Sequence, residues 1–369
     1  NPQSPIPNPH DKCKMILNND NIERDLKLFI DLEEIPELKK KNEIEIKLIS
    51  KKTITNLSYM FNDCYSLKYI KEIKNIENIN ITNIEYIFNG CRSLISIPYS
   101  LSKINLKNVT SLNSFFCSCS SLKEIPDISL WNMSNISDIS YLFANCESLL
   151  SIPEKIKNWD TMNITSMSCL FTNCISLNSI PDISLWNMAN VKDINSLFAF
   201  CEKLICLPDI SKWNTGKIID MNNLFSNCKN LLFVPEISKW NIENVKNISG
   251  LFYECNSLIS LPEIDKWNIK NVFNMNFLFY NCKSLSIVPD ITNWNFKKYI
   301  SIDNMFEGCS SLFEIPDISK WAKIKNKNIK NILKGCINLN HLPDFSKYEN
   351  NNNINNNEIN NLDLINNLV

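Results

Sequence analysis

Glycine is scarce, at 5 residues in 369. Phosphate-cradling loops and dinucleotide-binding turns need backbone without a Cβ, so nucleotide-binding architectures lack their raw material here. Histidine is scarcer still, with 2 copies, which restricts acid-base and metal chemistry. Neither sign of charge dominates. Lys plus Arg number 38 against 39 Asp plus Glu, a net charge of −1, so the chain has no global basic field for nucleic acid or an anionic membrane. No apolar run reaches the length of a membrane span. What remains is 44% hydrophobic and 21% charged, enough for the core of one large domain or two ordinary ones. Against this background 15 Cys and 8 Trp stand out, and their positions carry the main information.

Eleven cysteines, Cys64, Cys91, Cys119, Cys146, Cys174, Cys201, Cys228, Cys255, Cys282, Cys309 and Cys336, follow one another at intervals of 27 or 28 residues. That is a repeat protein. Leu stands three residues after each, Phe three residues before ten of them (Leu333 before the last), and Pro at the seventh position in ten units. All 8 tryptophans, from Trp131 to Trp321, fall twelve or thirteen residues after a repeat cysteine, and Tyr348 continues their column.

Two periodicities share the unit. The short apolar stretch Leu204–Ile210, interrupted by Pro208, predicts a brief strand paired with the flanking units. Val191, Ile194, Leu197, Phe198 and Cys201 are spaced by threes and fours, and Asn190 with Asp193 resembles a helix N-cap followed by an acid at its third position. Neither piece buries its apolar side alone, so the units must stack. The expectation is an α/β repeat, a solenoid of eleven coils with a parallel sheet on the concave face and short helices or helical turns on the other. The extra residue of the 28-residue units belongs to the coils of Cys91 and Cys146. In the second it lies between Pro153 and Trp159, where a turn can absorb it.

Four regions follow: residues 1–14 a disordered Pro-rich leader, 15–50 an N-terminal cap, 51–348 the solenoid and 349–369 an Asn-rich tail. The first unit, with Lys71 and Ile76 where later units carry Pro and Trp, is atypical as terminal units are.

The recurring pattern F-x-x-C-x-S-L-x-x-I-P-D-I-S-x-W-N-x-x-N-V-x-x-I-x-x-L-F resembles the BspA-like leucine-rich repeats, and closely the mycoplasma-type surface-lipoprotein repeat family of unknown function, over about residues 54–348. The resemblance implies a leucine-rich-repeat-like right-handed solenoid of cell surfaces, associated with adhesion or partner binding and without enzymatic activity.

Each conserved-looking column has a chemical and a packing reading. The cysteine ladder lies in the apolar part of the unit, where a thiol acts as a small hydrophobe, so buried and reduced packing is expected in preference to disulfides or zinc. The acids eight residues after the cysteines, from Asp127 to Asp344 and including Asp209, Glu236 and Glu263, serve foremost as turn acceptors, with a dock for a basic partner or a calcium site as the alternatives. The tryptophans are stacked core or, alternatively, a carbohydrate platform. The Asn after Trp is expected to bridge coils. Seven Asn-x-Ser/Thr sequons occur, at a density ordinary for so Asn-rich a chain.

Function is sought where units differ. The two residues after the unit leucine vary most: Ile205-Cys206, Leu232-Phe233, Ile259-Ser260, Ser286-Ile287 and Phe313-Glu314. They form either an apolar strip on the concave face, a protein interface, or a half-buried strand edge. The candidate partner-binding residues are therefore Ile205, Leu232, Phe233, Ile259, Ile287 and Phe313, with Asp209, Glu236 and Glu263 beside them. No catalytic, cofactor-binding or metal-binding set is visible: His10 and His341 lie at opposite ends, and no unit gains a Ser, His and acid together. The reading is a monomeric protein-binding solenoid with an unidentified protein partner, of the surface or adhesion type by resemblance. The alternative is an intracellular scaffold, which the unpaired thiols favour.

Overall fold

In a computed structural model the chain is described at residues 13–18, 20, 22–25, 43–50, 54–294, 300–318, 321, 331–341 and 343. Of the expected disordered leader at residues 1–14, Cys13 and Lys14 are instead ordered at the start of a β-strand, and the rest of it lies outside the described residues, as does the Asn-rich tail. Three short strands come first. β1 (Cys13–Leu17) pairs antiparallel with β2 (Arg24–Asp25) and β3 (Ile46–Ser50) in the order β2-β1-β3, and Met15 and Leu17 form a small core with Ile44 and Leu48.

From residue 54 the units stack as a solenoid, but its ladder lies elsewhere than the unit pattern suggests. The segment from Val191 to Cys201 is neither a helix nor a pleated strand. The N–H groups of Ile194, Ser196, Phe198 and Phe200 donate to the carbonyls of Asp220, Asn222, Leu224 and Ser226 in the next coil, at 3.1, 2.8, 3.0 and 2.7 Å. The intervening N–H groups of Leu197, Ala199 and Cys201 turn back instead to Ile194, Ser196 and Phe198, at 3.3, 3.1 and 3.2 Å. Donors thus alternate between the neighbouring coil and the chain's own turn, and none in this run is orphaned.

That alternation requires left-handed backbone at two fixed positions. In every coil from that of Cys64 to that of Cys309, the fifth residue and the residue just before the cysteine have positive φ, as at Ser196 (52°) and Phe200 (60°). Four of the 5 glycines, Gly90, Gly250, Gly308 and Gly335, occupy these two columns. The few glycines therefore sit where the turns need them, and Asn, Asp, Ser, aromatic residues, Cys169 and Glu254 hold the other positions.

The spacing by threes and fours that suggests a helix is the period of these turns. Asn190 caps nothing: its Nδ2 donates to the Met162 carbonyl of the preceding coil at 2.9 Å, and Asp193 accepts the Asn195 N–H at 2.9 Å. The residue eight before each cysteine is Asn, Ser or Asp, and parallel bridges join these residues from Asn56 to Asn83 and from Ser111 through Asp193 to Ser301. Most close a turn on the N–H two residues on, as Asp220 does with Asn222 and Asn247 with Ser249. The stretch Leu204–Ile210, expected to be a strand, forms no continuous one. Pro208 removes a donor there, and contact between coils is reduced to single bonds such as Leu232 N–H to Ile205 O, 3.1 Å.

The core is a set of columns. Phe171, Phe198, Phe225, Phe252 and Phe279 stack with ring centroids 5.5–6.0 Å apart. The tryptophans are buried, with Trp131, Trp159 and Trp186 stacked at 6.4 and 6.1 Å, which overturns the carbohydrate-platform alternative for them. Each described indole N–H from Trp131 to Trp294 donates to a carbonyl of the preceding coil, for example Trp213 to Ile183 at 3.1 Å. Ile76 and Ile104 fill this column below the first Trp, both buried.

The Asn after Trp does not bridge coils through its side-chain amide, although the backbones of Asn187 and Asn241 bond the Thr161 and Thr215 hydroxyls of the preceding coil. Asn187 and Asn241 accept N–H groups two residues on in their own coil, while the bridging falls to the next Asn, as in Asn244 Nδ2 to Gly216 O at 2.7 Å. The inserted residue of the two longer units lengthens a 3-10 helix. Tyr99–Lys103 and Glu154–Asn158 have five residues, where Ile264–Lys266 and Ile291–Asn293 have three.

Candidate functional site

The columns that vary are carried on this rigid frame. Ile205, Phe233, Ile259, Ile287 and Phe313 are 43–58% exposed, and Leu232 is half-buried. Ile205, Ile259 and Phe313 stand in the first column and Phe233 and Ile287 in the second. The coils are joined along the first by Leu232 N–H to Ile205 O and Ile259 N–H to Leu232 O (both 3.1 Å) and Phe313 N–H to Ser286 O (2.9 Å), and along the second by the bridge of Ile287 with Glu314. At about 4.8 Å per coil the five units span roughly 20 Å. The alternative of a half-buried edge holds only for Leu232 and Ser286; the second member of every pair is exposed.

Asp209, Glu236 and Glu263 are exposed beside this strip. The Asp209 carboxylate accepts the Ser211 N–H at 3.0 Å and Glu236 accepts that of Ser238 at 3.1 Å, while Glu263 pairs with Lys266. The Ser211 side chain and N–H, ahead of Lys212, hold Asp209 below the usual carboxylate range, so it is charged at neutral pH.

The thiol ladder is buried from Cys91 to Cys336, and the described cysteines are free. Beyond packing, it has a task that the sequence pattern does not reveal. Each Sγ donates to the carbonyl of the Phe thirty or thirty-one residues earlier, as Cys174 does to Phe143 and Cys228 to Phe198, both at 3.1 Å. Burial pushes the thiols of Cys174 and Cys228 up to about 12. Such thiols are protonated and poor nucleophiles. Among the described residues no group of three His, Cys, Asp or Glu could hold a metal ion, and no helix is long and apolar enough to cross a membrane.

A second feature lies on the turn ladder, outside the columns singled out above. The fifth residue before the cysteine is Tyr141 in one coil, then Cys169, Ser196, Asn223 and Gly250 in the next four, then Phe277. Three residues further on, the coils carry Thr172, Ala199 and Ser226 and then Tyr253. Where the side chains shrink, an open groove of about 410 Å³ forms, with Phe200, Tyr253 and Phe277 among its walls. The loss of Tyr from one column over four consecutive units is the sequence signal that marks it.

With this geometry in place, comparison with known proteins gives the family. The family described as Mycoplasma protein of unknown function, DUF285, matches residues 55–153, 124–231, 148–261, 200–314 and 251–363. The chain belongs to this family. The overlapping matches restate the repeat, since one family unit fits in several registers along this DUF285 solenoid.

Among solved structures, a leucine-rich repeat protein from Bacteroides ovatus is 18% identical, covering 76% of this chain and 68% of its own, with a TM-score of 0.34. A leucine rich cell surface protein from Faecalibacterium prausnitzii is 19% identical, covering 79% and 77%, with a TM-score of 0.34. The T. pallidum leucine-rich repeat protein is 19% identical, covering 60% and 78%, with a TM-score of 0.28. No curated protein matches the chain.

Proposed function

We propose that this DUF285 chain is a non-enzymatic protein-binding solenoid of the surface or adhesion type, and that it holds its partner on the strip from Ile205 to Phe313. The observation that supports this is the strip itself: large apolar side chains exposed in five consecutive coils, in columns released from packing, on a frame bonded from coil to coil. Contiguous exposed apolar area flanked by charge is the anatomy of an interface core and rim. Asp209, Glu236 and Glu263 supply the acidic rim and favour a basic border on the partner. An intracellular scaffold is the second reading, favoured by the free thiol ladder, which a reducing compartment preserves.

The test is capture of partners by the wild-type chain, Phe233→Asp and Phe273→Asp. Phe233 and Phe273 are equally exposed, at 52% and 53%, but Phe273 stands outside the strip. A partner identified by mass spectrometry and then purified should bind wild type and Phe273→Asp and lose at least about tenfold in affinity for Phe233→Asp. Equal binding by all three removes the strip from the account. A signal peptide or its absence in the full-length gene separates the two settings.

A further inference from the structure

The groove on the turn ladder differs from the apolar strip in chemistry as well as in place. None of its lining residues is charged, so it offers a phosphate, a carboxylate or a cation no ion pair. Its polar groups are hydroxyls and amides, each able to donate and to accept. Several are already oriented from behind. Asn223 Nδ2 donates to Asn222 Oδ1 at 2.9 Å, and Asn222 Nδ2 in turn donates to Asp220 Oδ1 at 2.6 Å. Asn227 Nδ2 donates to Ser226 Oγ at 3.1 Å with both residues buried, so this pair braces the groove from beneath, while Ser249 Oγ, only partly buried, donates to Asn247 Oδ1 at 2.8 Å and keeps its lone pairs available.

Aromatic faces complete the groove. Tyr253 stacks on Tyr280 at 4.9 Å with its ring nearly parallel, and Phe277 stands edge-on to both at 6.2 and 5.7 Å. Phe277 and Phe200 are 38% and 41% exposed, a state that a core aromatic would avoid. The floor is rigid because Cys169, Ser196, Asn223 and Gly250 all donate their N–H to the next coil, at 2.8–2.9 Å. A prearranged floor spares a ligand the cost of ordering it.

We propose that this groove binds a neutral oligosaccharide lying along the solenoid. Sugar hydroxyls match rows of groups that both donate and accept, and the apolar face of a sugar ring matches an exposed aromatic ring. An extended peptide fits less well. Its side chains would find hydroxyls where they need apolar pockets, and the backbone donors of the floor are already committed to the neighbouring coil.

The full chain is titrated calorimetrically with cellohexaose, xylohexaose, maltohexaose and N-acetylchitohexaose, and in parallel with a sulfated oligosaccharide and a random-peptide display library. The expected result is binding of at least one neutral hexaose, weakened about tenfold by Tyr253→Ala and by Phe277→Ala. Phe277→Leu, which keeps the bulk but not the ring, distinguishes lost stacking from lost fold and should weaken binding as well. Phe233→Asp should leave sugar binding unchanged, so failure of the apolar-strip reading and failure of this one are separable. Absence of binding by all four sugars at millimolar concentration overturns the proposal. So does binding that is indifferent to Tyr253 and Phe277, and so does tighter binding of the sulfated sugar or of a peptide.

Discussion

The Sγ of Cys201 lies 3.1 Å from the carbonyl oxygen of Phe171 in the preceding coil, and the same carbonyl accepts the Cys174 N–H at 3.1 Å. One backbone acceptor thus closes a turn and ties two coils, and the arrangement recurs up the ladder. Cysteine suits the place because it is the small apolar side chain that still carries a donor. Cys228→Ala removes the donor and leaves the Phe198 carbonyl with one partner fewer, so it should destabilise the chain by about 1 kcal/mol, or more if a cavity remains. Urea denaturation of wild type and variant measures this, and an unchanged midpoint would show that the thiol only fills space.

The same burial predicts a pH dependence. Unfolded thiols titrate near 9.0, whereas those of Cys174 and Cys228 are pushed up to about 12 in the fold. Between these values the folded chain holds protons that the unfolded chain has released. Stability is therefore intact below pH 9 and falls as pH rises toward 12, at about 1.4 kcal/mol per pH unit for each such thiol. Cys228→Ala should make that slope shallower by one thiol's share. In the native chain near pH 8 a disulfide reagent should label exposed Cys206 and leave Cys174 and Cys228 unlabelled until denaturant is added.

How much of this was legible in sequence depends on what each residue type can signal. The coil length and the core columns were readable because Cys, Leu, Phe and Trp recur in fixed order, and the site of the inserted residue was readable because only one stretch of the unit varies in length. The turn ladder was not, because its determinant is backbone sign. Phe200, Tyr141 and Cys169 hold positive φ without being turn formers, forced by bonds to the next coil that no local pattern displays. The apolar strip was visible as varying columns. The groove was hidden, since it is defined by side chains that are missing from one column in four units.

Left-handed backbone makes Gly308 a sensitive position. Its φ is 78°, and a Cβ there would collide with Oδ1 of Asn281 in the preceding coil. Gly308→Ala should cost about 1–3 kcal/mol through strain and displacement of the Asn281 side chain. Gly216 provides the control, because its φ is ordinary and its nearest contacts are at 3.4 and 3.5 Å, so Gly216→Ala should be close to neutral. Melting temperatures of the two variants decide the matter, and a similar fall in both would refute a special role for the positive-φ column.

Core and strip can be separated within one coil. Leu231 is fully buried while Phe233, two residues on, is 52% exposed. Leu231→Asp places an uncompensated carboxylate in the core and should unfold the central coils, whereas Phe233→Asp should shift stability by less than about 0.5 kcal/mol. Circular dichroism melts of the two variants test this. Unfolding by Phe233→Asp would mean that the ring packs against the solenoid, and the strip would then be part of the structure it was taken to decorate.

The solenoid should also tolerate a change of coil length at one place and refuse it at another. Glu154–Asn158 is a five-residue 3-10 helix where the 27-residue coils of Ile264–Lys266 and Ile291–Asn293 have three residues, and Lys155 within it is exposed, with a surface ion pair to Asp127 at 3.1 Å. Deleting Lys155 returns the unit to the common length and loses an interaction worth under about 1 kcal/mol. Deleting Asn195 instead shifts the turn ladder by one residue. The alternation would then present Leu197 and Ala199 N–H groups to the next coil in place of those of Ser196 and Phe198, breaking the bonds to Asn222 and Leu224 and moving Phe198 out of its stack. The first deletion should yield a soluble chain with a nearly unchanged melting temperature, and the second an unfolded or aggregated one. If both fold equally well, the ladder's register is set by something other than its alternating donors.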